Sequence, residues 1–319
     1  MKKLAALLTS FVAGGAAAQG YPSKPITLVV PLAIGSTADI LSRTIGAELA
    51  KRVGQPVIVD NRPGAGGTSA LQQVARAAPD GHTIALITSS TQAINIGLYS
   101  RPGYDPVRDF TPITVIGEVS NLMIVHPSNP ARTARDVIAQ AKAKPGDLTF
   151  SSGGNGTSHH LSGILFASMA GIEIVHVPYK GAPQGITAVM SKEVTMGFFN
   201  TPTVISQIRD GRLKALAATS KTRTPFFPAV PTLDESGLKG YEVTVWFGFA
   251  GPAGLPAPIL DRLYGEMVKI MKDPAVREKL SNLGFELMPQ ISPAEFGKLI
   301  QSDVAKWVPI VKASGATVD

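Results

Sequence analysis

The fold of this chain is written in one stretch: Ile26-Thr27-Leu28-Val29-Val30-Pro31-Leu32-Ala33-Ile34-Gly35-Ser36-Thr37-Ala38-Asp39. Its first six residues form a nearly unbroken apolar run, the pattern of a strand buried on both faces. Residues 39–53 place Leu41, Ile45 and Leu49 at helical spacing, and Gly54 ends the run. Between strand and helix lies a turn whose Ser36 and Asp39 stand at capping-box spacing, S-x-x-D. A doubly buried strand that passes straight into a helix is one unit of a parallel sheet covered by helices.

The unit recurs along the chain. Residues 57–60 read as a strand, 62–67 as a Pro/Gly turn, the stretch to residue 77 as a helix, and 83–88 as a strand. A second set follows, with strands at 122–126, 148–152, 174–177, 194–199 and 213–218. Helices are expected at 133–144 (opened by Thr133), 161–170, near 183–190 and near 203–210, with a linker at 225–231. The tail reads as helices at 258–271, 274–283 and 292–312, the last with Phe296, Leu299, Ile300, Trp307 and Val311 on one face. This pattern predicts two α/β lobes, joined by crossovers near 114–125 and 218–231. Residues 19–120 with 228–319 would form one lobe and 121–227 the other. Ligands of such sheets bind beyond the carboxyl ends of strands, here in the cleft between lobes.

The N-terminus reads as an exported leader over residues 1–18: Lys2 and Lys3, an apolar stretch at 4–12, then Ala16-Ala17-Ala18 before Gln19. No cysteine occurs among the 319 residues, so an exported chain of this size would rely on its core rather than on disulfides. The net charge is +7, with basic residues scattered rather than clustered, which suits an anionic small molecule and argues against nucleic acid.

Two turns could hold such an anion. The first is residues 31–39 above. Free backbone N–H groups, two hydroxyls and a positive helix end suit a carboxylate there, and an ordinary helix cap fits the same residues equally well. The second is Ser151-Ser152-Gly153-Gly154-Asn155-Gly156-Thr157-Ser158-His159-His160, which also joins a strand to a helix. Its glycines allow close backbone approach. Adjacent histidines on a helix face different ways, and no acidic or cysteine partner stands at metal spacing, so no metal is expected. Hydrolase-elbow, P-loop and zinc-protease motifs are absent, and Gly64-Ala65-Gly66-Gly67 reads as a structural turn.

With these turns the sequence resembles the Bug/TctC family of extracytoplasmic solute-binding proteins of tripartite tricarboxylate transport. The similarity spans nearly the whole mature chain. It includes Val59-Asp60-Asn61-Arg62-Pro63-Gly64-Ala65-Gly66-Gly67, Gly154-Asn155-Gly156-Thr157-Ser158-His159-His160-Leu161, Val177-Pro178-Tyr179-Lys180-Gly181 and Trp246-Phe247-Gly248. The resemblance implies a type II periplasmic-binding-protein fold, no enzyme activity and no cofactor. It implies a monomeric periplasmic protein that closes on a small carboxylate and delivers it to permease subunits; presentation to a receptor kinase is the alternative, and an enzyme on the same fold a remoter one. The implied site comprises Gly35, Ser36, Thr37, Ala38 and Asp39 in one lobe. Asn155, Gly156, Thr157, Ser158 and His159 face them from the other. Ser89 and Ser90 lie at a strand end, and Asn200 near the distal end of the ligand. Tyr179 and Trp246 fit an aromatic wall of the cleft and simple packing between the lobes equally well. The family's first turn commonly reads P-F-x-P-G-G-x-x-D. Here Leu32, Ile34 and Ser36 replace the aromatic, the second proline and the second glycine.

Overall fold

The computed structural model describes residues 20–313. The expected leader at 1–18 lies outside the described residues. The chain opens with β1 (Ile26–Val30), α1 (Thr37–Val53), β2 (Val57–Asn61), α2 (Thr68–Ala75) and β3 (Thr83–Thr88). A π-helical turn at Ser90–Ile94 continues into α3 (Asn95–Leu98) and is followed by β4 (Phe110–Val125). Next come α4 (Ala134–Ala143), β5 (Thr149–Ser152), α5 (Ser158–Ala170), β6 (Val175–Pro178), α6 (Ala182–Met190), β7 (Met196–Asn200), α7 (Thr201–Arg209) and β8 (Lys214–Ala218). The chain then forms β9 (Thr244–Pro252), α8 (Ala257–Lys272), α9 (Pro274–Asn282), β10 (Glu286–Leu287) and α10 (Pro293–Ala313). No described helix is long and apolar enough to cross a membrane.

The strands order as β2-β1-β3-β9-β4-β7-β5-β6, with β8 and β10 also pairing to β4. The expected parallel units are present as β2-β1-β3 and as β6-β5-β7. The strands that join them are antiparallel, a feature the helix-strand alternation does not convey. β4 leads across, pairing with β9 over Phe110–Ser120 and with β7 and β8 from Asn121 onward. β9 returns beside it, and a return strand beside an outgoing one must run the opposite way. The second crossing therefore falls at β9 rather than at 218–231. Residues between β8 and β9 make an excursion that buries Leu233, Tyr241 and Val243 in the second core.

Two layered cores result. β1, β3 and β9 bury Leu28, Leu86 and Phe249 against Leu41 and Ile45 of α1 and Leu263 of α8. Phe150, Phe166, Phe198 and Met123 centre the second. Packing does not follow the division of the chain into thirds. Ile94 and Leu98 pack in the second core although they precede β4. Helix α10 belongs to both: Phe296 and Ile300 pack beside Trp246, whereas Trp307 and Val311 enter the second core.

Phe150 is the packing hub that sets α5 against β5. A Cβ on Gly163 would lie 2.1 Å from its ring. On its other side the ring stacks on His176 at 4.7 Å, and His176 stacks on His160 at 4.2 Å. Burial pushes His160 down to about 4, and burial followed by the neighbouring His160 pushes His176 down to about 3.

Two outcomes are expected. Gly163→Ala should lose roughly 1–3 kcal/mol by overpacking. Gly265→Ala, in α8 with nothing within 4 Å, should gain about 0.5–1 kcal/mol. Urea denaturation checks the opposite signs; two shifts of the same sign would contradict the packing. A histidine with a lowered folded pKa binds its proton more readily when unfolded. Its contribution is present above the ordinary 6.5 and is lost as pH falls toward 4. The urea midpoint should therefore drop between pH 7 and 4.5, less steeply in His176→Phe, and identical slopes would show that His176 is not a source.

Candidate functional site

The first turn is held by its own helix cap. Ser36 caps α1, its Oγ accepting from Asp39 N–H at 3.3 Å. The Asp39 carboxylate accepts from Gly35 N–H at 3.0 Å and pairs with Arg43 at 2.9 Å. The box expected from S-x-x-D spacing thus closes one residue earlier, on Gly35. Gly35 is glycine for a reason, since its φ is +78°. The Thr37 and Ala38 amides at the start of α1 have no partner within the helix.

The second turn is fixed by histidines acting as acceptors. Thr157 caps α5, its Oγ accepting from His160 N–H at 3.4 Å and donating to Gly154 O at 2.7 Å. Gly153 N–H donates to His159 Nδ1 at 3.2 Å, and Gly156 N–H to His160 Nδ1 at 3.4 Å. The two imidazoles diverge, as i,i+1 side chains must. Burial pushes His159 down to about 4, so the ring is neutral near pH 7. No group of residues able to hold a metal ion occurs among the described residues.

Asn200, at the end of β7, joins the two turns. Its Oδ1 accepts from Thr37 Oγ1 at 3.2 Å and lies 3.2 Å from His159 Nε2. Its Nδ2 donates to Asn121 Oδ1 at 2.5 Å. Asn121 lies on β4, and its own Nδ2 donates to Ser158 O and to Ser162 Oγ at 2.8 Å. Sequence reading did not single out Asn121. The signal available was a polar residue inside the apolar run VSNLMIV.

The cleft has a narrow inner cavity of about 30 Å³ and an outer vestibule of about 530 Å³. Ser36, Ser90, Gly156, Thr157, Ser158, His159 and Asn200 line the inner cavity. Asn155 and Tyr179 line the vestibule beside Lys180, with the Tyr179 hydroxyl donating to Glu193 at 2.8 Å. Gly35, Thr37, Ala38, Asp39 and Ser89 line neither space. Trp246 is a correction. Its indole donates to Asp303 at 2.6 Å and its ring packs edge-on to Phe296, on the α10 side of the sheet. Adjacent strand residues face opposite ways, so Phe247 lines the cavity instead.

Other lining residues went unread in the sequence. Thr88 and Thr91 bond one another's backbone amides at 3.0 and 3.1 Å. Gly66, in the turn read as structural, also lines the cavity. A Cβ there would meet Asn155 O at 3.0 Å and Gly156 Cα at 3.2 Å, so the two loops touch backbone to backbone. Of the first turn's departures, Leu32 and Ser36 line the cavity, whereas Ile34 is 68% exposed.

The electrostatics follow from the backbone. Helices α1, α5, α6 and α7 all begin at the cavity, at Ser36, Thr157, Gly181 and Asn200. Each contributes roughly half a positive charge and unpaired N–H groups. No Lys, Arg, Asp or Glu lines the inner cavity.

This arrangement has close counterparts. The model of the tripartite tricarboxylate transporter family receptor matches residues 41–316. Rpa4515 of R. palustris, solved with adipate, is 34% identical with a TM-score of 0.88, covering 93% of this chain and 100% of that one. The periplasmic binding protein BugD is 32% identical with a TM-score of 0.88, covering 93% and 100%. MatC of Rhodopseudomonas palustris, solved with malate, is 30% identical with a TM-score of 0.86, covering 91% and 100%. These neighbours are ligand-binding receptors rather than enzymes, and the chain belongs to the tripartite tricarboxylate transporter receptor (TctC) family.

Proposed function

We propose that this protein is a periplasmic receptor that captures a small organic carboxylate between its lobes and delivers it to a tripartite tricarboxylate-type membrane permease. The observation that carries this reading is the convergence of four helix N-termini on a cavity without charged side chains. Backbone N–H groups and aligned dipoles favour an anion there at no cost of burying a lysine or arginine. Adipate and malate in the two relatives support a carboxylate as that anion.

The inner cavity has room for a head group rather than a whole acid. The rest of the ligand would extend into the vestibule, toward Asn155 and Lys180. The lobes would close as rigid bodies about β4 and β9, with ligand contacts favouring the closed state. A permease could then discriminate loaded from unloaded receptor by shape.

Calorimetry and thermal shift on a panel of carboxylates, adipate and malate included, test the reading. Binding of at least one acid is expected; no binding across the panel would sink it. Ser36→Asp should keep the fold, because aspartate is a favoured N-cap. It should weaken binding by about a hundredfold or more, because it sets a negative charge beside the carboxylate. Unchanged affinity would place the anion elsewhere.

A further inference from the structure

We propose that His159 is a positioning residue that ties closure of the two lobes to the shape of the second turn. The connection runs from Thr37 Oγ1–H to Asn200 Oδ1, from His159 Nε2–H to the same oxygen, and from Gly153 N–H to His159 Nδ1. The inference rests on the receptor reading for its purpose, since closure matters only if something is captured. The bonds themselves require no ligand.

The direction of each bond is fixed by chemistry. The Gly153 amide can only donate, so His159 Nδ1 must present its lone pair, at 3.2 Å. The imidazole proton is then on Nε2 and donates to Asn200 Oδ1, also at 3.2 Å. Thr37 donates to that oxygen at 3.2 Å, which leaves the Asn200 NH₂ for Asn121 and Ser158 Oγ. Every donor meets an acceptor in one orientation only.

This chain of bonds crosses the cleft. Thr37 opens α1, whose Ala38 and Leu41 pack in the first core. Asn200 ends β7, whose Phe198 packs in the second. The Thr37 bond therefore forms only when the lobes meet. Breaking it removes one of the two donors to Asn200 Oδ1; Asn121 still holds the NH₂ side, and the carboxamide oxygen, with His159 bonded to it, shifts. The Gly153 turn follows, because its amide is held by the same ring.

Neutrality is part of the device. An imidazolium donates at both nitrogens and would set N–H against the Gly153 N–H. The groups facing His159 are Gly153 of the turn and Asn200 and Phe199 of β7, the last at 4.9 Å between rings, and none is ionisable near neutral pH. The neighbouring imidazoles, His160 and His176, stack on each other. Burial accordingly holds His159 at about 4.

The test uses the chain's lack of cysteine. Spin labels at Lys51→Cys and Lys142→Cys report the distance between lobes, and ¹⁵N NMR reports the His159 tautomer and the Gly153 amide. The native chain should show the Nε2–H tautomer. Thr37→Val, which removes only the first bond, should move the Gly153 resonance and lower the closed-to-open ratio about tenfold, the worth of one buried hydrogen bond. His159→Asn keeps the Nδ1 acceptor and loses the donor, and should lower that ratio similarly. His159→Gln keeps the donor and should retain closure. An Nδ1–H tautomer would overturn the proposal. So would variants that lower the melting temperature but leave both the distances and the Gly153 resonance unchanged. If no acid in the panel binds, the receptor reading falls while these readouts stand.

Discussion

The fold turns on one buried carboxamide, that of Asn121. It is fixed where β4 passes from the first sheet to the second. Its backbone is pinned by Thr219, whose N–H donates to Asn121 O at 2.9 Å and whose hydroxyl oxygen accepts from Asn121 N–H at 2.8 Å. Val243 N–H in turn donates to Thr219 O at 2.8 Å, so the outgoing and returning chains are locked at one level. The Asn121 side chain meanwhile holds the start of α5 and the Asn200 amide. With 1% exposure, any of these groups left unpaired would cost about 1–3 kcal/mol. The crossing point and the second turn are therefore one network rather than two features.

That network explains why the cleft is built from backbone. Each lobe brings its helices to the cleft by their N-termini because each follows directly from a strand end. The capping residues Ser36 and Thr157 line the inner cavity and spend their hydroxyl oxygens on their own helices. They occupy the third amides of their helices and leave the earlier ones available. His159 and His160 do the same for Gly153 and Gly156. The side chains at this site chiefly select which amides remain free. Charge enters only at the vestibule, with Lys180.

Much of this was legible in the sequence, and the remainder was hidden for physical reasons. The run from Ile26 to Asp39 yields strand, turn and helix because periodicity and capping are local. The glycines of residues 153–156 mark a second close-approach turn for the same reason. What periodicity cannot convey is partnership between distant segments. β9 was not read as the return strand, because nothing local says what β4 will pair with. The sequence leaves Trp246 open between a wall of the cleft and packing between lobes, and it is its neighbour Phe247 that lines the cavity; a one-residue shift reverses the face, and no turn fixes that register locally. Asn121, Asn95 and Thr91 went unread because a buried polar residue declares its role only through its partners. Asn95, whose Nδ2 donates to Gly66 O at 2.9 Å, is the clearest such case.

The central claim is that an acid is held at this cleft by backbone amides at helix starts rather than by a cationic side chain. A crystal structure of the protein with a bound carboxylate, taken from the acid that raises its melting temperature most, tests that claim most directly. The account predicts one carboxylate inside the inner cavity. Its oxygens would lie within hydrogen-bond distance, directly or through one water, of amides of residues 158–159 and 182 at the starts of α5 and α6, with no lysine or arginine touching it. A carboxylate paired instead with Lys180 in the vestibule, with the inner cavity left to apolar atoms, would contradict it.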